Sequence, residues 1–377
     1  MPRFLHSGDW QLGMKRRFLG EDAQARFDEA RFDAIRRLGD VAERERCDCV
    51  VVCGDVFESN AVDRRTVARA LDALRGVRVP VVLLPGNHDP LDGASVFDTP
   101  AFTRGAPDHV HVLRDATPLR VRPDLEVVGA PWHSKRPGRD LLAEALDGLP
   151  APAGTRVALA HGAVDVLSPD RDDPAAIDLA NAERAIRDGA IHDLALGDRH
   201  SRTRVGETDR VHYAGAPEPT DWGEIDPGQV LVVDVDPSRV RVEAHRVGTW
   251  CFERRAGVAL NSAEDLDALA AWLDGLPDKA RTIVRLSWEG TLDLRGHARL
   301  EALVERARDV FACVDVWEPE CALALLPDDA DFEALGLSGF AARAVEKLRA
   351  DAAGAPEAED ALALLVRLAT GAEGDAA

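Results

Sequence analysis

Four short polar segments, each directly after an apolar run, constrain the fold of this chain more than any other feature. They are Gly8-Asp9-Trp10-Gln11, Gly54-Asp55-Val56-Phe57-Glu58, Gly86-Asn87-His88-Asp89 and Gly197-Asp198-Arg199-His200, with a lone His161 between the last two. Each segment ends a predicted strand and opens a loop. Functional groups of α/β sheets gather beyond the carboxyl ends of the strands, so these side chains are predicted to meet at one sheet edge.

The first part of the chain alternates strand and helix patterns. Apolar runs at 4–6, 49–53 and 79–84 predict short buried strands. Between them, apolar residues recur at helical spacing over 21–46 and 61–75. This alternation predicts a sheet with helices on its outer faces.

The next stretch is richer in strands, and the pattern changes near residue 247. Strands are expected at 125–129, 156–160, 193–196, 211–213 and 229–235. Helix patterns at 263–275 and 298–308 then alternate with strand patterns at 281–288 and 311–317. We therefore expect an α/β fold with a β-sandwich flanked by helices over 1–246, a small α+β domain over 247–330, and two helix-like segments with a tail over 331–377. A plain β-sandwich would explain the strands but not the polar residues at their ends.

Length and composition indicate a globular protein and suggest the cellular compartment in which it works. With 377 residues, 46% of them hydrophobic, the chain is long enough for two globular domains. It has no apolar run of membrane-spanning length and no secretory signal pattern, so a cytoplasmic location is expected. Its six cysteines do not suggest a disulfide framework, and we expect Cys47, Cys49 and Cys53 to be buried thiols.

The charge pattern bears on nucleic acid as a partner. A formal net charge of −21 argues against nonspecific binding by the whole surface, but not against a local basic cleft. Basic residues follow several polar segments: Lys15, Arg16 and Arg17; Arg64 and Arg65; Lys135, Arg136 and Arg139; Arg199, Arg202 and Arg204. They could clamp phosphates at the rim of the predicted site, although an arginine-rich chain also scatters such clusters by composition alone.

The residue types in the polar segments suit a pair of divalent cations. Two such ions, about 3.5–4 Å apart, can neutralise a phosphodiester and activate water. Asp55 is the candidate bridging carboxylate, because Gly54 allows a sharp turn beside it. Asp9 and Gln11 can face one ion, and Asn87 offers an amide oxygen to the other.

The remaining polar residues complete the predicted site. His161, Asp198 and His200 close the two ligand sets, and His88 lies where it can act as a general acid. Oxygen and nitrogen ligands without thiolate favour Mn²⁺, Mg²⁺ or Fe over a structural zinc. Each segment alone has a simpler explanation, since a Gly-Asp pair is usually a turn and a lone histidine is usually structural. Their joint order at strand ends favours the metal site.

At these residues the chain resembles the calcineurin-like metallophosphoesterases, and within them most the SbcD-type nucleases of DNA double-strand-break repair. The stretches Phe4 to Gly13 and Val211 to Pro219 carry the resemblance further, the second being similar to a Tyr-x-Gly-x-Pro-Glu element. The resemblance covers about residues 3–240 well. It implies a DNA exonuclease or endonuclease, an SbcC-like coiled-coil ATPase partner and a possible homodimer. The smaller domain would be a cap, and the C-terminal helices a possible partner-binding surface.

The resemblance also divides the ligands between the two ions. Asp9, Gln11, Asp55 and His200 would hold one, and Asp55, Asn87, His161 and Asp198 the other. The family usually has histidine at the positions of Gln11 and Asp198. Both residues can still bind a metal, so we expect an altered site with a weaker first ion and a preference for hard cations such as Mn²⁺ or Mg²⁺.

The substrate remains open among three possibilities. For a DNA nuclease, we expect Lys15, Arg16, Arg17, Arg199 and Arg202 to bind the substrate. A metallophosphoesterase for a small phosphoester or cyclic nucleotide would share the ions, and a non-catalytic scaffold would retain only a weakened site. The cap-like domain and the Tyr-x-Gly-x-Pro-Glu-like element favour the nuclease.

Overall fold

A computed structural model describes residues 1–170, 172–325 and 339–352, together with Ala361. The chain divides into two compact units, Met1–Trp250 and Cys251–Ala377. The division lies a few residues after the expected boundary near residue 247. Most of the expected segment 331–377, including its second helix pattern, lies outside the described residues. Among the described residues, no helix combines the length and apolar character needed to cross a bilayer.

The first sheet of the first unit has six strands, of which four are parallel. The parallel strands are β1 (Arg3–Ser7), β2 (Cys49–Cys53), β3 (Val81–Leu84) and β4 (Val110–Val112). Two antiparallel strands, β11 (Gln229–Val235) and β12 (Val240–Arg246), extend it to the order β12-β11-β1-β2-β3-β4. The first two polar segments follow the adjacent strands β1 and β2, so they emerge side by side.

The second sheet also has six strands. They are β5 (Leu119–Arg122), β6 (Leu125–Gly129), β7 (Thr155–His161), β8 (Asp193–Gly197), β9 (Thr203–Val205) and β10 (Val211–Tyr213), in the order β5-β6-β7-β8-β10-β9. The four central strands are parallel, and the two edge strands run antiparallel to their neighbours. His161 ends β7, and Gly197 ends the adjacent β8.

Helices cover the outer face of each sheet. The first sheet carries α1 (Glu21–Arg44), α2 (Arg64–Arg75) and α3 (Pro100–Thr103), and the second carries α4 (Leu141–Leu146) and α5 (Leu179–Arg187). Between the sheets lies a core that includes Phe4, Val51, Leu84, Leu159 and Val233. Because alternate strand residues face opposite sides, each sheet fills both the central layer and a helix-covered layer. The predicted β-sandwich flanked by helices is confirmed.

Two boundaries of the first unit differ from the sequence-based expectation for local reasons. The helix expected from residue 61 begins at Arg64, because the Asp63 side chain accepts a hydrogen bond from Thr66 N at 2.6 Å and caps it. The strand expected from residue 79 begins at Val81, directly after Pro80, which has no N–H to donate to the sheet.

The second unit is an α+β module. Its sheet contains β13 (Cys251–Leu260), β14 (Thr282–Leu292), β15 (Cys313–Val316) and β16 (Ala322–Leu325), all paired in parallel around β14. Its helices are α6 (Ala263–Gly275), α7 (Leu294–Val310) and α8 (Phe340–Ala352). Leu266, Leu269, Leu286, Leu303 and Phe311 belong to its core.

Candidate metal centre

The loops after β1 and β2 are joined by backbone hydrogen bonds that continue beyond the paired strands. Asp9 N donates to the Gly54 carbonyl at 3.1 Å, and Gln11 N donates to the Asp55 carbonyl at 2.8 Å. Both bonds form at the carboxyl ends of parallel neighbours. The two loops therefore bring Asp9, Gln11 and Asp55 to the same sheet edge.

Two glycines allow the strand ends to approach closely. A Cβ atom at Gly54 would lie 2.0 Å from His161 Nδ1, and one at Gly197 would lie 1.6 Å from the Cys53 carbonyl oxygen. Real Cβ atoms do not come so near to other atoms, so no larger residue fits there without movement of the backbone or the imidazole. The glycines of the polar segments thus serve the packing of this edge.

Backbone strain is concentrated at the predicted ligands. Of the eight non-glycine residues with positive φ among the described residues, four are Asp9 (φ 54°), Gln11 (φ 44°), Asp55 (φ 51°) and Asp198 (φ 92°). This region of backbone conformation is unfavourable for residues with a Cβ atom, and such outliers cluster at functional sites. The local conformation therefore points to a function for these four positions.

His161 lies at the centre of one half of the cluster. Its Nδ1 donates to the Cys53 carbonyl at 2.9 Å, so in the neutral ring the free lone pair is on Nε2. That Nε2 lies 2.8 Å from the Asn87 amide, 3.4 Å from Asp55 Oδ1 and 3.8 Å from Asp198 Oδ1. The Asn87 amide has two possible orientations. With its nitrogen toward His161, it donates a hydrogen bond to Nε2, and with its oxygen toward the cluster, it offers a ligand to a cation.

His200 organises the other half. Its Nδ1 lies 2.7 Å from Thr220 Oγ1 and 3.1 Å from Glu224 Oε1, and its Nε2 lies 3.1 Å from the Gln11 amide nitrogen. A carboxylate that holds the far nitrogen of an imidazole is the usual support for a metal-binding histidine. Glu224 therefore orients His200 with Nε2 toward the cluster.

Asp9 joins the two halves. Its carboxylate accepts hydrogen bonds from Asp198 N at 2.9 and 3.2 Å. One ligand atom from each of Asp9, Asp55 and His161 lies within 4.8 Å of the others, and all three residues are buried. Three buried donors at such distances can hold one ion.

The pKa values of these groups show the electrostatic cost of the cluster. Burial raises the pKa of Asp9 to about 6, although His200 and His161 oppose the shift. Burial alone would lower the pKa of His161, but Asp55 and Asp9 outweigh it and raise the value to about 9. The pKa of His200 is raised in the same way, by the hydrogen bond to Glu224 against the effect of burial. A buried group of carboxylates that depends on protonated histidines is a site where a divalent cation would fit.

His88 lies beside Asp55 and reaches the surface. Its backbone N–H donates to Asp55 Oδ1 at 3.0 Å, and its Nδ1 donates to the Glu58 carbonyl at 2.9 Å. Its Nε2 is 3.9 Å from Asp55 Oδ2, and 37% of the side chain is exposed. The ring therefore presents Nε2 at the edge of the cluster, where a substrate can reach it.

Two of the predicted substrate-binding residues already have their charges paired. Lys15 forms an ion pair with Asp28, and Arg202 forms one with Asp226 at 2.9 Å. Exposed pairs of this kind contribute little to stability and can exchange partners.

The other three predicted substrate-binding residues differ among themselves. Arg16 is half-buried and donates to the Thr220 carbonyl, and Arg199 Nε donates to Thr203 Oγ1 at 2.9 Å. Arg17 is exposed and has no ion pair among the described residues. Of the five, Arg17 is the one whose charge is most available to a substrate.

Several residues that support the site were not singled out from the sequence. Trp132 Nε1 donates to the His161 carbonyl at 2.8 Å, and buried Asp89 accepts from Gly86 N at 2.8 Å and Phe57 N at 2.9 Å. Asp89 belongs to one of the four polar segments, but no feature of the sequence indicated that its carboxylate would accept these backbone hydrogen bonds. Glu224 follows the last segment by two dozen residues, and nothing in its local pattern reveals its bond to His200.

Comparisons with known proteins identify the family of this chain. The family model described as "Calcineurin-like phosphoesterase" matches residues 2–223. The SbcD subunit of the SbcCD nuclease from Rhodobacter capsulatus is 28% identical over 59% of this chain and 64% of its own length. The DNA double-strand break repair protein Mre11 of Saccharolobus solfataricus is 25% identical over 58% of this chain and 55% of its own. The chain thus spans less than two thirds of the length of each of these two curated relatives.

A solved structure is also similar, at lower identity. A dimetal phosphatase from Danio rerio is 13% identical, covers 65% of this chain and 96% of its own, and gives a TM-score of 0.42. The resemblance to the SbcD-type nucleases that the polar segments indicated is confirmed at modest identity. With a match over more than half of its residues, the chain belongs to the calcineurin-like phosphoesterase family.

Proposed function

We propose that this chain is a metal-dependent phosphodiesterase that cleaves DNA, as the nuclease subunit of an SbcCD-like complex. The observation that carries the proposal is the buried contact network at one sheet edge, in which Asp9, Asp55 and His161 present ligand atoms within 4.8 Å of one another. The relatives support the choice of substrate, because two of them are named for an SbcCD nuclease and a DNA double-strand break repair protein.

The donor set suits two divalent cations, with Mn²⁺ favoured and Mg²⁺ or Fe as alternatives. One ion would be held by Asp9, Gln11, Asp55 and His200, and the other by Asp55, Asn87, His161 and Asp198. Bound there, such ions would neutralise the phosphate and supply an activated water. Three aspartates, two amides and two neutral imidazoles match the preference of these metals for oxygen and nitrogen ligands.

His88 is the proposed general acid. Its Nδ1–H is committed to the Glu58 carbonyl, so the ring cannot turn freely and Nε2 is the nitrogen that faces a substrate. When the ring is protonated, Nε2–H can be donated to the leaving oxygen as the phosphodiester bond breaks. A positioned acid of this kind contributes about 10²–10⁴ to the rate.

The exposed basic residues that follow the polar segments in sequence support a polyanionic substrate. Arg17 is exposed without an ion pair among the described residues, as are Arg64, Arg65, Lys135 and Arg136. Each phosphate contact adds about one unit to the salt dependence of DNA binding. Arg17→Ala should therefore weaken binding and lower the slope of log K against log salt by about 1, whereas replacement of ion-paired Arg202 should change it less. Equal slopes for wild type and Arg17→Ala would contradict this contact.

The proposed partners are those that the family resemblance implies, and the name of one relative, a subunit of an SbcCD nuclease, supports a multi-subunit complex. An SbcC-like coiled-coil ATPase and a second copy of the chain are the expected partners, with the second unit as a cap and the C-terminal segment as a possible partner-binding surface. Co-expression with such an ATPase, followed by size-exclusion chromatography, tests whether a stable complex forms.

One set of assays separates this function from its alternatives. Purified protein is incubated with Mn²⁺ or Mg²⁺ and linear duplex DNA, single-stranded DNA or a chromogenic phosphodiester, with and without the ATPase. We expect DNA cleavage that falls by about 10²–10⁴ in His88→Ala and is abolished in Asp55→Asn. Activity on the small ester alone would indicate a small-phosphoester enzyme, and no metal-dependent turnover in any mixture would indicate a scaffold.

A further inference from the structure

A pocket in the first unit collects positive charge in a chain that is acidic as a whole. Its volume is about 490 Å³, within the range of about 300–1,000 Å³ that small-molecule sites occupy. Five arginines and two aspartates line it, so its local balance is positive although the chain carries a formal net charge of −21. The arginines are Arg3, Arg46, Arg122, Arg239 and Arg241, and the aspartates are Asp48 and Asp234.

The pocket lies at the opposite edge of the sheets from the candidate metal centre. Arg3 begins β1 and Asp48 directly precedes β2, whereas the predicted metal ligands follow the carboxyl ends of these parallel strands. At about 3.3 Å per residue, strand β1 alone places about 13 Å between the two edges. A ligand in the pocket would therefore not touch the residues that would hold the ions.

The two aspartates fix two of the arginines at the pocket. Asp234 accepts hydrogen bonds from Arg3 Nε at 2.7 Å and Arg3 Nη2 at 3.0 Å. Asp48 accepts from Arg3 N at 2.8 Å and from Arg122 Nη1 at 2.6 Å, and the bond to Arg122 links the two sheets. Arg122 also donates to Asp124, outside the pocket lining, at 3.2 Å. Both oxygens of each lining aspartate thus have a donor already, and neither aspartate pairs with the other three arginines.

Those three arginines have weak partners or none. Arg239 is exposed and lies 3.7 Å from Asp236, and Arg241 is exposed and lies 3.1 Å from Glu243. Neither acidic partner lines the pocket, and exposed pairs of this kind contribute little and can exchange partners. The Arg46 side chain has no ion pair or hydrogen bond among the described residues. Its charge is therefore available to a ligand.

The backbone at Arg46 is a second, independent observation. The residue follows α1 and its capping residue Glu45, and its φ is 56°. Glycine is the usual residue in this left-handed position after a helix, because it adopts a positive φ without strain. The chain thus places a guanidinium beside the pocket at a position where the backbone favours glycine, and strain of this kind clusters at functional sites.

We infer that this pocket binds a compact anion with several phosphate groups, at a site separate from the candidate metal centre. Guanidinium groups present paired N–H donors that match phosphate oxygens. Each has five donors, so the five arginines offer far more than two carboxylates can accept. Met1 is the one described lining residue without a charged side chain, so the ligand is recognised by charge and not by stacking of a base. Because the arginines surround one pocket, a small polyphosphate fits better than the long backbone of a nucleic acid.

Binding of inorganic triphosphate to the full chain tests the inference. It is measured by isothermal titration calorimetry in metal-free buffer of low ionic strength. Since no divalent cation is present, phosphate cannot bind through ions at the metal centre. We expect triphosphate to bind about tenfold or more tightly than orthophosphate, because its additional phosphate groups reach additional arginines and each net charge-assisted hydrogen bond corresponds to a factor of this order.

Two variants remove charge from the pocket, and a third is the matched control. Arg46→Gly should fold normally, because glycine relieves the positive φ, and it should weaken triphosphate binding about tenfold. Arg239→Gln leaves the helix end untouched and should weaken binding about threefold or more. Arg78 is exposed, lies 3.8 Å from Glu43 and does not line the pocket, so Arg78→Gln should change binding by less than about twofold.

The result can be read from the three variants together. Weaker triphosphate binding in Arg46→Gly and Arg239→Gln than in Arg78→Gln supports the pocket. Absence of triphosphate binding, or equal affinities in all three variants, overturns it. A duplex oligonucleotide is titrated in parallel, and if Arg46→Gly weakens duplex binding but not triphosphate binding, the pocket is a nucleic-acid contact and the inference is wrong. Because the assay needs neither a metal nor cleavage, failure of the proposed nuclease function would leave its result unchanged.

Discussion

Replacing Gly54 with alanine would test how closely the end of β2 approaches His161. The added Cβ would lie 2.0 Å from His161 Nδ1, 2.4 Å from its Cγ and 2.8 Å from its Cβ, and the backbone φ of Gly54 is +85°. The imidazole cannot move away easily, because its Nδ1 donates to the Cys53 carbonyl at 2.9 Å and the residue is buried. The change should therefore strain the backbone and displace the imidazole together.

The size of the effect follows from these two contributions. A positive φ for a residue with a Cβ atom costs about 1 kcal/mol, and overpacking of a closed site costs about 1–3 kcal/mol. Gly54→Ala should thus lower the free energy of unfolding of the first unit by about 2–4 kcal/mol. For a unit of this size, the melting temperature should fall by about 4–16 °C.

Gly138 provides a control for the backbone contribution alone. Its φ is +66°, and a Cβ atom there would meet nothing within 4 Å. Gly138→Ala should therefore cost only about 1 kcal/mol, or about 2–4 °C. Differential scanning calorimetry of the two variants measures the difference, and Mn²⁺ titration should show loss of affinity in Gly54→Ala only. Equal melting temperatures, or unchanged Mn²⁺ affinity in Gly54→Ala, would refute the close approach of this glycine to the imidazole.

Two further predictions concern stability away from the ligands. Burial lowers the pKa of His6 to about 3, so protonation in the unfolded chain near pH 6.5 removes stability as the pH falls; at pH 5 the loss is about 2 kcal/mol. His6→Gln, which can still donate to the Leu196 carbonyl, should reduce this loss in denaturant unfolding at pH 7 and pH 5, and an unchanged difference would refute the assignment. Glu218 is buried and accepts hydrogen bonds from Thr249 N at 2.9 Å and Trp250 N at 3.0 Å. Glu218→Ala should lower the free energy of unfolding by about 3–5 kcal/mol, and a change below about 1 kcal/mol would contradict the importance of these bonds.

The sequence predicted the strands that carry the site because those strands are buried on both faces. β2 (Cys49–Cys53) reads as an unbroken apolar run, and the glycine that follows marks its end. Strands with one exposed face were harder to recognise. β12 (Val240–Arg246) alternates apolar residues with charged or polar ones and was not predicted. β13 (Cys251–Leu260) contains the charged run Glu253, Arg254 and Arg255 and was not predicted either, and β9 (Thr203–Val205) is too short for any periodicity.

The candidate ligands could be named from sequence because their residue types are unusual at strand ends. Their support could not be named, because it depends on contacts between distant segments. Glu224 bonds to His200 only through the path of the loop after β10 (Val211–Tyr213), and the link from Gln11 to His200 spans 189 residues. Hydrogen bonds of this kind have no local pattern, so the orientation of His200 required the structure.

The backbone strain and the burial of carboxylates at this sheet edge destabilise the fold, and a bound ion explains their presence better than a structural role does. Strain at Asp9, Gln11, Asp55 and Asp198 amounts to about 1 kcal/mol or more at each position, and a typical domain is stable by only about 5–15 kcal/mol. Buried carboxylates in mutual proximity add a further electrostatic cost, as the raised pKa of Asp9 shows. If these loops served only as turns, glycine would be favoured at the four positions, because glycine adopts a positive φ without strain. A divalent cation would offset both costs at once, because it would attract the carboxylates and hold the strained loops in place. This coincidence of strain, burial and charge at the same residues is the physical ground for proposing a metal centre at this edge.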